Sequence, residues 1–332
     1  MPFLLDMPDV VMNLILDKLD FRSIQNLRKS CRDLLHCIDE AKPESNVTEL
    51  FITIWKDIIH FLIRFEKGGA IIDYWKKDGL ISYSGSSGLK KQKFFKSSNF
   101  LDIAIRDLKS ILDSKTSDSF KFLEIDLKLR EETTEQFSES LIKILDSRPL
   151  IKATKLKMIV NSSDQVSNFL KYSNPRNLKK FELRVDGNNM VENFDFSKIV
   201  ELPQWKSLTE FVSENFYVKV PTESLTNFER ISIYVKEVTL DMVLELKEIF
   251  LSNPNPTSFE IRHLFFKKEV LQTFGELFGD PYKHENRFGG QYYFRVPGDS
   301  DCQKIHGISY NECYFKFNRI YEEEVSTGAV IS

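Results

Sequence analysis

Between Met7 and Leu19 the chain carries more apolar surface than one short helix can hide against its own neighbours. Val10, Val11, Met12, Leu14, Ile15, Leu16 and Leu19 cover more than the stripe of about 100° that a surface helix turns toward its core. Pro8 suits the first turn of such a helix, where a missing N–H costs nothing. Ile24, Leu27, Cys31, Leu34 and Ile38 follow at helical spacing and would hold a second helical segment against the first. A segment of roughly forty residues cannot build a sufficient core alone. The surplus, drawn from Met7, Val11, Ile15, Leu16 and Leu19, therefore requires a further burial partner, either the rest of this chain or another polypeptide. Arg22, Arg28, Lys29 and Arg32 either complement an acidic partner or form a solvated helix face.

The same segment resembles an F-box. That family opens on Leu-Pro and an acidic residue, ends its first helix with Ile-Leu-x-x-Leu, and closes near a Cys-Arg pair. Met7-Pro8-Asp9 stands for the opening, Ile15-Leu16-x-x-Leu19-Asp20 for the helix end, and Ser23-Ile24 with Leu27 for the second helix. Cys31-Arg32 matches the closing pair, in phase from Met7 without an insertion. Ser30 stands where an apolar β-branched residue is usual and Leu34 near the place of a common aromatic; both leave the docking helices intact. The resemblance implies binding to a Skp1-type adaptor and, through it, to a cullin-based ubiquitin ligase. Met7, Pro8, Val11, Ile15, Leu16, Leu19, Ile24 and Leu27 are the residues expected at that contact. Burying each apolar side chain is worth about 1.5–3 kcal/mol, so a handful supports a complex after association costs.

Composition narrows the remaining classes. Over 332 residues, 42% are hydrophobic and 29% charged, which is the balance of a globular chain long enough for one large or two ordinary domains. The 28 Phe residues point to broad apolar layers filled by rings. A net charge of −3 gives no global electrostatic reason to bind nucleic acid. Asp6 and Asp9 fall where a signal peptide needs a basic start, and Lys56, Asp57 and His60 interrupt the run from Phe51 to Ile63, so no membrane span is expected. Cys31, Cys37, Cys302 and Cys313 show no Cys-x-x-Cys spacing, which disfavours a disulfide scaffold or zinc site and suits a cytoplasmic or nuclear protein. The sequons at Asn46 and Asn161 are then irrelevant.

Organisation follows from periodicity. Pro43 stops the helix bearing Leu34, Leu35 and Ile38, and residues 41–46 read as a turn or linker. Val47 to Trp55, Ile58 to Phe65 and Ala70 to Trp75 read as strands, although the first two could form one helix. Gly68-Gly69 supports a reversal between them and the third. Residues 82–98, with Gly85-Ser86-Ser87-Gly88 and Lys90, Lys91, Lys93 and Lys96, read as a basic surface loop; Lys90-Lys91-Gln92-Lys93 could also be a nuclear address or a phosphate contact. Beyond Phe100, alternating stretches recur around Ile125, Met158, Leu183, Phe211, Ile233 and Ile261. Five steps from Ile125 to Ile261 average about 27 residues, within the range of one strand plus one helix per unit. Thr133 or Thr134, Ser163 or Asp164, and Thr239 are candidate caps of the intervening helices, and residues 268–278 offer another. Tyr292 to Val296 and Cys313 to Phe317 look like a terminal antiparallel pair.

An F-box followed by such a chain resembles the nematode F-box proteins that carry an FTH domain. The stretches that carry the similarity are Leu19 to Lys29, Phe169-Leu170-Lys171-Tyr172, Leu178 to Leu183 and Leu202-Pro203-Gln204-Trp205-Lys206. The expected fold is α+β: a three-helix F-box over residues 1–42, a strand-rich connecting region with its basic loop over 43–99, a leucine-rich-repeat-like α/β solenoid of FTH type ending in a β-hairpin cap over 100–322, and a tail over 323–332. With apolar strand residues inward, period two places charged residues on the outer face. Asp126, Lys157, Arg184, Tyr234 and Arg262 are expected there as target-binding residues, unless that face is merely solvated. No Gly-x-Ser-x-Gly, His-Glu-x-x-His, phosphate loop or metal-ligand cluster occurs, and His36, His60, His263, His284 and His306 are scattered. The expectation is therefore a non-catalytic substrate receptor without cofactor or metal. The alternative is an F-box scaffold that joins protein partners without ubiquitin transfer.

Overall fold

The computed structural model describes residues 7–331 apart from positions 17, 20, 29, 42–45, 67, 77–79, 86–89, 95–98, 115–118, 129–131, 188–189, 192–193, 220, 254, 267, 284–288, 296–303, 312–313 and 328. The protein is mixed α/β and divides into two compact units, residues 1–156 with 172–177, and residues 157–171 with 178–332.

The first unit opens with three short helices, α1 (Asp9–Leu16), α2 (Phe21–Arg28) and α3 (Arg32–Ala41). Pro43, the expected stop, lies outside the described residues. The sheet begins with β1 (Val47–Trp55), β2 (Ile58–Phe65) and β3 (Gly69–Trp75), joined as an antiparallel meander. Ile52, Ile54, Ile59, Phe61, Ile63, Ala70, Ile72 and Tyr74 alternate along it and are all buried, so this sequence is strand and not one helix. Within the expected basic loop, two further strands occur, β4 (Leu80–Gly85) and β5 (Lys90–Phe94), which pair with each other, while β4 also pairs with β3; residues 86–89 and 95–98 of that loop lie outside the described residues. The pairing covers the edge that β3 would otherwise leave open.

Helix α4 (Phe100–Asp113) packs on the buried face of this meander. Its cap is Asn99, whose side chain accepts from the Leu101 amide at 3.1 Å. Leu101, Ala104, Leu108, Ile111 and Leu112 recur at helical spacing and are buried. The Tyr74 hydroxyl donates to Asp107 of α4 at 2.9 Å; burial, then the carboxylate, pushes this phenol well above its ordinary pKa. Strand β6 (Phe120–Asp126) runs parallel to β1, and helix α5 (Glu132–Asp146) follows it. Thr133 and Thr134 lie inside α5 and are buried, so neither caps it. The sheet order in this unit is β6-β1-β2-β3-β4-β5, and the chain then enters β7 (Ala153–Val160).

In the second unit, α6 (Ser163–Leu170) is capped by Ser162, one residue before the expected caps. The succession continues through β8 (Lys180–Val185), the short helices α7 (Ser197–Val200) and α8 (Pro203–Lys206), β9 (Glu210–Glu214), β10 (Arg230–Val238), α9 (Leu240–Ser252), β11 (Ser258–Phe266) and α10 (Lys268–Phe278). Thr239 caps α9 as expected, accepting from the Met242 amide. Strands β8, β9, β10 and β11 are mutually parallel. The terminal element is larger than a hairpin: β12 (Gly290–Arg295) and β14 (Tyr314–Tyr321) both pair with an intervening strand, β13 (Lys304–Tyr310), and β14 pairs antiparallel with β11.

Register explains the core of this unit. Phe181, Phe211, Ile231, Phe259, Phe317 and Ile308 are successive cross-strand partners and all are buried. Trp205 closes the layer, meeting the rings of Phe196, Phe211 and Phe228 edge-on at 5.4, 4.8 and 5.1 Å. Farther along, His306 is fully buried and stacks on Phe250 at 4.8 Å and on Phe317 at 5.9 Å. Burial outweighs its contact with the Asn318 carbonyl and, helped by the nearby Arg319 and Lys247 charges, pushes the imidazole down to about 3.

From the ordinary value of 6.5 down to about 3, the unfolded chain holds a proton on this ring that the folded chain does not. The stabilisation is thus complete above the upper value and is lost as pH falls through the window. His306→Phe should therefore gain on the parent chain at pH 4 relative to pH 7, measured as the difference in urea midpoints; a difference independent of pH would contradict this.

Candidate adaptor-docking and target-binding surfaces

Helix α1 is apolar on two sides. Met12, Leu16, Ile24, Leu34 and Ile38 form a closed cluster among the three N-terminal helices, with Leu19, Leu27, Cys37 and Ala41 packed against it. The opposite side of α1 is open: Val10 is 71% exposed, Leu14 60% and Val11 40%. Three branched aliphatic side chains within two turns form a patch, unlike singly scattered surface residues.

The residues expected at an adaptor contact therefore separate by position. Leu16, fully buried, and Ile24 belong to the interior that holds the hairpin together. Leu19 and Leu27 lie partly buried at its margin, Met7 and Ile15 are half-buried, and Pro8 and Val11 face solvent. Val10 and Leu14, exposed on the open side, were not among the residues expected at the contact. Their spacing could have found them, since residues four apart share one side of a helix while Met12 and Leu16 define the other.

Arg28 at the end of α2 anchors the hairpin. Its guanidinium pairs with Asp39 of α3 at 2.7 Å and donates to the Ser110 hydroxyl of α4 at 2.8 Å. Arg28 has only 11% of its side chain exposed but Asp39 has 49%, so the part-buried bond to Ser110 is the shielded one and counts for more than the half-exposed ion pair. The open side of α1 is thereby carried on a braced support.

The expected target-binding residues also separate. Asp126 is buried, accepts from the Lys128 amide at 3.2 Å, and pairs with that residue's ammonium group at 3.2 Å. Its parity along β6 predicted an outward side chain, but at the strand end it folds back onto the turn. In the second unit Lys157 is half-buried and Arg184 exposed. Arg262 donates to the Tyr234 hydroxyl at 2.8 Å and pairs with Glu260 at 2.7 Å. These contacts, the Tyr234 bond foremost, raise the pKa of its guanidinium. Neighbouring charges on the same face are laterally paired as well: Lys180 lies 3.2 Å from Glu182 and 3.5 Å from Glu210, and Arg230 lies 2.6 Å from Glu210. This surface is polar, ordered and self-compensated.

Two family models match the chain. Residues 4–45 match the F-box domain and residues 135–278 the FTH domain. The chain carries an F-box and an FTH domain. It is also similar to F-box A protein 224 of Caenorhabditis elegans, 24% identical over 305 residues that cover 89% of this chain and 74% of that protein. The F-box match contains α1, α2 and α3, and the FTH match begins within α5 and ends with α10. Among the described residues there is no group of three or more His, Cys, Asp or Glu side chains able to hold a metal ion, and no helix long and apolar enough to cross a membrane.

Replacing Arg28 by Ala should leave the β1–β3 meander intact while loosening the F-box. Amide exchange in α1 and α3 is expected to rise about tenfold, as for loss of one shielded charge-assisted bond of about 1.5 kcal/mol. Unchanged exchange in those helices would show that the brace is idle.

Proposed function

We propose that the chain is the non-catalytic substrate-recognition subunit of a Skp1-cullin-F-box ubiquitin ligase. The observation that carries this reading is the open aliphatic side of α1, Val10, Val11 and Leu14 with the edge of Ile15, within residues matching an F-box. Met7, Pro8 and Leu19 border it, whereas Leu16, Ile24 and Leu27 support it from beneath. A Skp1-type adaptor covers this side and links the chain to a cullin, in the cytoplasm or nucleus.

The FTH domain then holds a target protein. The outer face bearing Lys157, Arg184, Tyr234 and Arg262 suits this role because Tyr234 and Arg262 are ordered by their neighbours, which favours selection of a partner over raw affinity. The succession of parallel strands β8 to β11 with intervening helical segments supports a repeat-like, solenoid organisation. Tethering raises the effective concentration of target lysines near a ubiquitin-charged enzyme, so the rate gain is positional and requires no nucleophile from this chain.

A Val11→Asp, Leu14→Asp double substitution should lower adaptor affinity at least about a hundredfold, since two buried aliphatic contacts of about 1.5–3 kcal/mol each are lost. Both side chains face solvent, so the far-ultraviolet circular dichroism should not change. Undiminished adaptor binding would refute this docking face. Where the double variant loses the adaptor but the partner protein's cellular lifetime stays the same, the chain acts as a scaffold without ubiquitin transfer.

A further inference from the structure

The terminal strands β12, β13 and β14 carry apolar residues on both faces. Phe294, His306 and Phe317 stand on the inner face, against the rings of Phe250 in α9 and Phe278 in α10. Register places Tyr293, Ile305, Gly307 and Ile320 on the opposite face. There Tyr293 and Ile305 are buried and Ile320 is half-buried. A Cβ added at Gly307 would meet the Tyr293 ring at 3.7 Å and the Ile320 side chain at 3.8 Å, so these two close over the glycine. Outward positions on β8, β9 and β10 are charged instead, as Lys180, Glu182, Glu210 and Arg230 show.

The cover of this face is a segment of the chain itself. Glu322 pairs with Arg295 at 3.4 Å. The Gln291 side-chain oxygen accepts from the Tyr293 hydroxyl at 2.6 Å and from the Ser326 hydroxyl at 3.4 Å. Ile331 forms a parallel bridge with Tyr293. Gln291, Tyr293 and Arg295 alternate along β12 on one side, and the segment meets all three.

This strap is lightly held. Both members of the ion pair are about half exposed, where such pairs contribute little. Among the described residues its backbone joins β12 by the Ile331 bridge alone. The Ala329 amide turns back to the Ser326 carbonyl at 3.0 Å, so the middle of the strap satisfies itself and not the sheet. Val330 is 80% exposed and adds little apolar contact. Opening the strap therefore costs far less than unfolding the strands beneath it, and what opens is an apolar face beside a cation.

We propose that this face of β12–β14 is a docking surface for an acidic segment of another polypeptide, and that residues 322–331 occupy it in the free chain. The strap defines what the face accepts. A carboxylate meets the Arg295 guanidinium, a small hydroxyl residue four positions later meets Gln291 and Tyr293, and an aliphatic residue five positions after that pairs beside Tyr293. The inference goes beyond the receptor reading and holds whether or not the chain serves a ligase.

The test uses the full chain, the full chain with Ile331→Asp to loosen the strap, and a fluorescein-labelled peptide of residues 322–332 as probe. Anisotropy should show the peptide binding the loosened variant at least about tenfold more tightly than the parent, whose own strap competes at high effective concentration. Adding Arg295→Glu should weaken that binding by about fivefold, and a Glu322→Arg peptide should recover it. A Ser326→Glu chain, with a carboxylate set against the Gln291 oxygen, should behave as the Ile331→Asp chain does. Circular dichroism should be the same for all chains. Equal binding to parent and both loosened chains, or binding indifferent to the charge swap, overturns the proposal. So does a concentration-dependent dimer of the loosened chains in light scattering, which would make a second copy the occupant.

Discussion

The architecture of the N-terminal region depends on one geometric conflict. Helix α1 has eight residues, and apolar side chains on both of its sides. The three-helix hairpin can enclose only one side, and Met12 and Leu16 take that place. Val10, Val11 and Leu14 are left facing outward. In the proposed receptor role this is the side that an adaptor covers.

Under the proposed function, a docking helix that moved freely would place a target poorly. Arg28 addresses this by joining α2 to both Asp39 and Ser110, which connects the hairpin to the helix sealing the meander. That helix is itself fixed to the sheet through Tyr74 and Asp107. In the second unit, rigidity comes from aromatic rows registered across parallel strands, with Trp205 locking them. In the proposed receptor role such stiffness would serve positional catalysis, whose gain comes from confining the target.

Part of this was legible in the sequence: runs rich in Ile, Phe and Trp mark β1, β2 and β3, although the first two could also have formed one helix, and Leu202-Pro203-Gln204-Trp205-Lys206 was one of the stretches that carried the family resemblance. Pro203 starts α8 and the Gln204 amide donates to the Lys171 carbonyl at 2.9 Å. Strand β13 left no such trace, since Lys304, His306, Gly307 and Ser309 interrupt its apolar residues. The β4–β5 hairpin was hidden by its glycines, serines and lysines, which read as loop until β3 supplies a pairing edge. For the site, composition announced a surplus of apolar surface on α1. Assigning each residue to the inner or outer side required the packing of α2 and α3, which is why Leu16 and Ile24 were expected at the contact and Val10 and Leu14 were not. Asp126 illustrates the same limit: strand parity gives the starting direction of a side chain, and a neighbouring turn can reclaim it.

The most direct measurement is side-chain footprinting of α1 in the purified chain, alone and with a purified Skp1-type adaptor. The account predicts that Val10, Val11 and Leu14 are labelled in the free chain and protected in the complex, while Met12 and Leu16 are shielded in both. Labelling of the outer three that persists in a formed complex, or failure of any complex to form, would contradict it.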